Sequence, residues 1–192
     1  MSKRWIVAVF LTVSFALAAP PDPVAVVKKK DSELRAMLQA QRKSPTPERT
    51  QQLKVLINSL FDFEELARRA IPSRTWKEAS EEQKSRFVAE FRRMVENQSV
   101  KQLDAYTSDS SRYESPVING EKGEVTARVW NKKQMAVLVY KMNYVNGQWR
   151  AWDLVIDDLS TMRNYRDQFS KILKEKSFEQ LITTIKEKAD EP

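Results

Sequence analysis

The stretch "QMAVLVYKMNYVNGQWRAWDLVIDDLS" occupies residues 134–160, and its reading decides the fold. Asn146-Gly147 at its centre is the strongest short hairpin signal, because both residues accept the positive φ of a tight turn. It joins Gln134–Val145 to "QWRAWDLVI", Gln148–Ile156. The first of these strands is apolar on both faces in its first half, which predicts cover on each side. Upstream, "EVTARVW" (124–130) alternates, with Val125, Ala127 and Val129 on one face. "RYESPVI" (112–118) carries Pro116, which confines it to an edge. The reversals between these segments span two to five residues. The prediction is a four-stranded antiparallel meander.

About six helices surround it. Asp22–Arg42 has a thin apolar stripe, and "SPTPE" (44–48) ends it. A second helix starts near Pro47, with Leu53, Leu56, Ile57 and Leu60 at helical spacing. Asp62 with Glu65 reads as a capping box for "FEELARRA", and Pro72 terminates that helix. Ser80 with Gln83 opens a long helix over about 81–107, whose stripe includes Phe87, Phe91, Met94, Val95, Leu103 and Tyr106. Ser160 opens a helix bearing Met162, Tyr165, Phe169, Ile172 and Leu173, and Ser177 with Gln180 caps the last one. Helices, then strands, then helices define an α+β domain with helices packed on one face of the sheet. An apolar pocket between sheet and helices is expected.

Composition narrows the chemistry. The 192 residues include no cysteine and no histidine, which removes thiol nucleophiles, zinc–cysteine sites and the commonest general base. Three glycines leave no glycine-rich phosphate loop. Ser2-Lys3-Arg4 precedes 14 uncharged, mostly apolar residues, Trp5 to Ala18, which end in the small-x-small pattern Ala16-Leu17-Ala18. As a helix that run would extend about 21 Å, short of the roughly 30 Å hydrocarbon core, so it reads as a cleaved signal peptide (1–18) before one domain (19–192). Leaving Lys3 and Arg4 out of the 33 basic residues, the rest still exceed the 26 acidic ones by five. The signs are interspersed and no cationic block points to nucleic acid. Packing must stabilise this secreted chain, since disulfides cannot.

Asp153, Asp157 and Asp158 put three carboxylates within six positions and are the densest candidate for chemistry. On a strand, positions 153 and 157 lie about 13 Å apart at roughly 3.3 Å per residue, too far to share one cation. No metal site is expected. Asp157 and Asp158 read as a strand exit, where carboxylates favour the N-terminus of the helix opening at Ser160. Asp153 sits mid-strand, flanked by Trp149, Trp152 and Leu154. It is either a base with a raised pKa or a side chain paired with an arginine or backbone N–H groups.

The segment "WRAWDLVIDDLSTMRNYRDQFSKIL" resembles the C-terminal signature of the MlaC, or toluene-tolerance, family. That signature has a tryptophan (Trp149) with Asp four positions on (Asp153), and a strand ending Glu-Gly-x-Ser (Asp157-Asp158-Leu159-Ser160). A helix with Tyr-Arg-x-x-Phe follows (Tyr165-Arg166 and Phe169). "FDFEELARRAIPSRTWKEASEEQKSRFVAEF" is similar to the family's Phe-Asp-Phe segment, its tryptophan (Trp76) and its Gln-x-x-x-Phe helix start. Together these cover roughly residues 50 to 188. Three features depart from the pattern: Asp158 replaces a glycine, which should alter the turn, "AIPSR" replaces Leu-Gly, and Asn97-Gln98-Ser99 replaces an aromatic.

The resemblance implies a periplasmic phospholipid carrier without cofactor or catalysis. Its implied partners are an inner-membrane ABC transporter complex with a hexameric lipid-binding ring and an outer-membrane lipoprotein complex. A monomer that does not bind nucleic acid is expected. The candidate wall for acyl chains comprises Phe63, Leu66, Phe87 and Phe91 on helices and Val125, Ala127, Val129, Val137, Val139, Leu154 and Ile156 on strands, with Tyr165 and Phe169 on the helix after the sheet. Each of these also suits an ordinary core. Arg74, Lys77, Arg163 and Arg166 are candidates to meet a phosphate at the rim, or are solvated surface. Two other readings stay open: a small pocket enzyme using Asp153, and a lipid-free interaction module.

Overall fold

A computed structural model of the chain describes residues 20–102, 110–131 and 134–191. The expected signal peptide, together with Leu103 and Tyr106, lies outside these residues. No described helix is long and apolar enough to cross a membrane.

The architecture is α+β, as expected, but the element count is larger. Five helices come first: α1 (Pro23–Lys43), α2 (Pro47–Leu60), α3 (Phe63–Ala70), α4 (Ser73–Glu78) and α5 (Glu81–Gln102). The strands are β1 (Ser110–Tyr113), β2 (Val117–Asn119), β3 (Lys122–Asn131), β4 (Gln134–Val145), β5 (Gln148–Ile156) and β6 (Leu159–Ser160). Two helices close the chain: α6 (Thr161–Ile172) and α7 (Phe178–Asp190).

The described sheet has six antiparallel strands in the order β1-β3-β4-β5-β6, with β2 also paired to β3. Two differences from the four-stranded meander have local causes. The predicted strand 112–118 is split: Tyr113 faces Ala127 while Val117 faces Glu124, so three residues on the edge, including Pro116, oppose two on β3. A proline cannot donate to the ladder, and the edge bulges there. The second difference is β6. Asp157 (φ 46°) and Asp158 (φ 66°) form a two-residue hairpin turn that reverses the chain before α6 begins. The same device, at Asn146 (φ 50°) and Gly147 (φ 78°), joins β4 to β5.

The helix signals are met with one change. Gln83 N–H donates to Ser80 Oγ and Ser80 N–H to Gln83 Oε1, both at 3.1 Å, and Ser177 with Gln180 makes the same reciprocal box. At Asp62 only half of the box forms. Its Oδ1 accepts from Glu65 N–H at 3.0 Å, but its own N–H donates to Ala151 O of β5 at 2.8 Å. Glu65 turns instead to Arg68 and Arg69. The α2–α3 junction is thereby bolted to the sheet. The extra helix α4 starts within the "AIPSR" segment, with Pro72 at its N-cap.

Two hydrophobic clusters hold these layers. The larger lies among the helices, with Phe87 stacked on Phe91 at 5.6 Å between ring centroids and Phe169 edge-on to both. The smaller joins Val24 and Val27 of α1 to Val125, Met142, Trp149 and Ala151 of the sheet. There Trp149 Nε1–H donates to Pro21 O at 2.6 Å, fixing the start of α1 on the sheet. The predicted cover on both faces of β4 is absent among the described elements: Val137 and Val139 belong to neither cluster and stay partly exposed.

Candidate functional site

Two adjoining cavities lie between the sheet and the helices. The first, about 660 Å³, is walled by α1 and α2 on one side and β3, β4 and β5 on the other. The second, about 860 Å³, continues from it among α2, α3, α5, β5, α6 and α7. Ile57, Phe61, Leu154 and Ile156 line both, so the partition between them is apolar. Ser99 and Asp157 also border both.

Strand alternation selects the wall. Val125, Ala127 and Val129 pair across with Tyr140, Leu138 and Ala136, so these six side chains share the inner face. Of them Val129, Ala136, Leu138 and Tyr140 line the first cavity. Val125 and Ala127 are fully buried beside it, and Val125 belongs to the cluster under α1. Val137 and Val139 fall on the other face. The sequence reading expected these two on the wall; an apolar run on both faces carries no phase, and Ala136, Leu138 and Tyr140 take that side instead.

The remaining predicted residues divide in the same way. Phe63, Leu66, Leu154, Ile156, Tyr165 and Phe169 line the second cavity. Phe87 and Phe91 are completely buried in the aromatic stack and reach neither cavity, because neighbouring rings fill the space beside them. Among the predicted rim cations, Arg163 borders the second cavity. Arg74 pairs with Glu78 on the exposed face of α4, Lys77 sits on the same short helix, and Arg166 is exposed on α6 away from the opening. Lys188 of α7 and Lys30 of α1 border the cavities, and the sequence reading missed both. Helical phase placed them on polar faces, and only the packing of α1 and α7 shows that those faces meet an opening.

Polar contacts close the ends. Asp31 of α1 lines the first cavity and accepts from Tyr113 and Ser111 of the edge strand and, at 2.7 Å, from Arg35. Arg35 also donates to Ser111. Burial first, then the hydrogen bond to Asp31, pushes the Tyr113 phenol well above its usual pKa. This clasp holds α1 against β1.

Asp153 is 1 % exposed. Its Oδ2 accepts from Ser160 Oγ at 2.7 Å and its Oδ1 from Met162 N–H at 2.9 Å, while Ser160 Oγ accepts from Arg163 N–H at 3.1 Å. The carboxylate serving the N-terminus of α6 is therefore Asp153, not Asp157 or Asp158. Asp157 instead accepts from Val137 N–H at 2.8 Å and returns its own N–H to Val137 O at 3.0 Å, which locks the turn. No group of metal-ligating residues occurs among the described ones.

The α+β layer thus encloses two adjoining cavities with an apolar partition, of a size that suits a small-molecule ligand. A phospholipid-binding protein from Ralstonia solanacearum, solved in complex with a phospholipid, has this fold: TM-score 0.77, 20% identity, 88% of this chain and 97% of that one covered. The family model described as MlaC protein matches residues 28–187, and the chain belongs to the MlaC family. No curated protein sequence matches it.

Proposed function

We propose that the protein is a periplasmic phospholipid carrier, residues 19–192 forming the mature lipid-binding domain after removal of 1–18. The observation that carries this reading is the pair of adjoining cavities with an apolar partition, in a chain of the MlaC family. Each cavity falls in the roughly 300–1,000 Å³ range of small-molecule sites. The phospholipid in the Ralstonia solanacearum structure supports the choice of ligand.

Acyl chains occupy the two cavities against Val129, Leu154, Ile156, Phe63, Leu66 and Phe169, and the headgroup stays at the opening near Arg163. Burying about thirty methylenes is worth roughly 25 kcal/mol gross at about 0.8 kcal/mol each. A bilayer offers nearly the same. The carrier therefore needs only to match the membrane, and delivery depends on docking that biases the cavity open. The partners we assign are the inner-membrane ABC transporter complex with its lipid-binding ring and an outer-membrane lipoprotein complex. The engagement of both Asp153 oxygens supports a structural role for that residue over a catalytic one.

Native mass spectrometry of protein purified from a bacterial periplasm, followed by organic extraction, tests the reading. A bound species of phospholipid mass is expected. A bare chain that takes up no lipid from liposomes would overturn it in favour of an interaction module.

A further inference from the structure

The alternation that turns Ala136, Leu138 and Tyr140 into the first cavity turns Val137 and Val139 outward. Opposite them on β3 stand Arg128 and Thr126, and Arg128 is itself directly opposite Arg112 of β1. Trp130 lies two residues further along the same face of β3, and Val117, 68 % exposed, pairs with Glu124 at its other end. Arg112, Arg128 and Trp130 border a surface cleft of about 510 Å³.

Like charges placed directly opposite one another destabilise a sheet. Glu114 offsets only one of the two: it meets Arg128 Nε at 2.7 Å, with both side chains 42 % exposed, where an ion pair contributes little. Arg112 makes no ion pair among the described residues. Two guanidinium forks side by side match phosphate oxygens bidentately. A soluble anion would need the forks alone. The face also carries Glu114 and Glu124, but it sets Trp130, Val137, Val139 and the exposed Val117 beside the two arginines, and aromatic and apolar groups next to cations settle at a lipid headgroup boundary.

We propose that Arg112 and Arg128 bind headgroup phosphates of an anionic bilayer and dock the outer face of the sheet on the membrane. This surface lies on the opposite side of the sheet from the cavities and requires neither of them to be filled.

The test is sedimentation of the purified protein with vesicles of phosphatidylcholine alone or mixed with phosphatidylglycerol, for wild type, Arg112→Gln and Arg112→Gln/Arg128→Gln. Binding to the anionic vesicles is expected, weakening with salt. The double variant should bind roughly 30-fold less tightly, about fivefold per guanidinium. Relief of the like-charge contact should leave the Arg112→Gln melting temperature unchanged or raised, so binding and stability move independently. Lipid carried in the cavities should be the same in all three. Equal vesicle binding by wild type and double variant, or no binding to anionic vesicles at low salt, would overturn the proposal. So would a response to inorganic phosphate without vesicle binding, or a melting temperature that falls together with the binding.

Discussion

Asp153 and Ser160 are joined by a 2.7 Å hydrogen bond that ties the middle of β5 to the first residue before α6. Asp153 also accepts the Met162 N–H, one of the donors that a helix start leaves without an intrahelical partner. Asp153→Ala strands a half-buried N–H and a half-buried hydroxyl. It should cost about 2–3 kcal/mol in urea denaturation, and Asp153→Asn, which keeps one acceptor, about half as much. An Asp153→Ala protein as stable as wild type would refute this capping role.

The face assignment of the sheet predicts a contrast. Ile156 borders both cavities and Val137 points to the outer face. Ile156→Trp should fill the partition and sharply lower co-purifying lipid, at an overpacking cost of about 1–3 kcal/mol. Val137→Trp should leave the lipid content unchanged. Extraction and quantification of bound lipid from both variants decides between them.

The Tyr113–Asp31 clasp should be sensitive to alkali. The phenol's pKa is raised in the folded protein above its model-compound value of 10.0, chiefly by burial and then by Asp31. A raised pKa means that the folded state holds its proton where the unfolded state has released it. The stabilisation is therefore complete below about pH 10 and declines as pH rises past it. Tyr113→Phe should flatten that decline in denaturation curves taken across the alkaline range, and an unaltered slope would exclude the clasp as its source.

Gly123 abuts the indole of Trp149: a Cβ there would sit 3.1 Å from Cζ3 and 3.2 Å from Cη2. Trp149 is 2 % exposed and anchors the start of α1 through Pro21. Gly123→Ala should cost about 1–3 kcal/mol, because the added Cβ pushes on an indole that is almost fully buried. Thermal melting, with tryptophan fluorescence reporting the shifted ring, measures it.

Asp158 occupies the left-handed region at φ 66°, in the position where the family pattern has glycine. Glycine adopts that backbone without the Cβ penalty, offset by its greater loss of freedom on folding. Asp158→Gly should be neutral or stabilise by up to about 1 kcal/mol in chemical denaturation. A clear loss would mean that the aspartate side chain contributes more than the strain it carries.

The sequence by itself determined what depends on neighbours along the chain. Asn146-Gly147 set the β4–β5 turn, Ser80 with Gln83 and Ser177 with Gln180 set two helix starts, and the heptad-like stripes of α2 and α5 marked which helix faces turn inward. These are local hydrogen bonds and periodicities, and they hold wherever the element finally packs. Six predicted wall residues, Phe63, Leu66, Leu154, Ile156, Tyr165 and Phe169, came to border one cavity from three elements, α3, β5 and α6. Only the tertiary structure decided which face of β4 meets the cavity, because Val137 and Leu138 are equally apolar and differ by a single step of register. It also separated Phe87 and Phe91 from the cavity wall, since stacked rings and an open cavity have the same hydrophobic signature in a helix. It assigned Asp153 rather than its neighbours to the start of α6, because a β5–β6 hairpin folds Ser160 back beside Val155, two residues from Asp153 along β5. Whether apolar surface is packed against side chains or left facing a cavity depends on how distant elements meet, and no window of sequence contains that meeting.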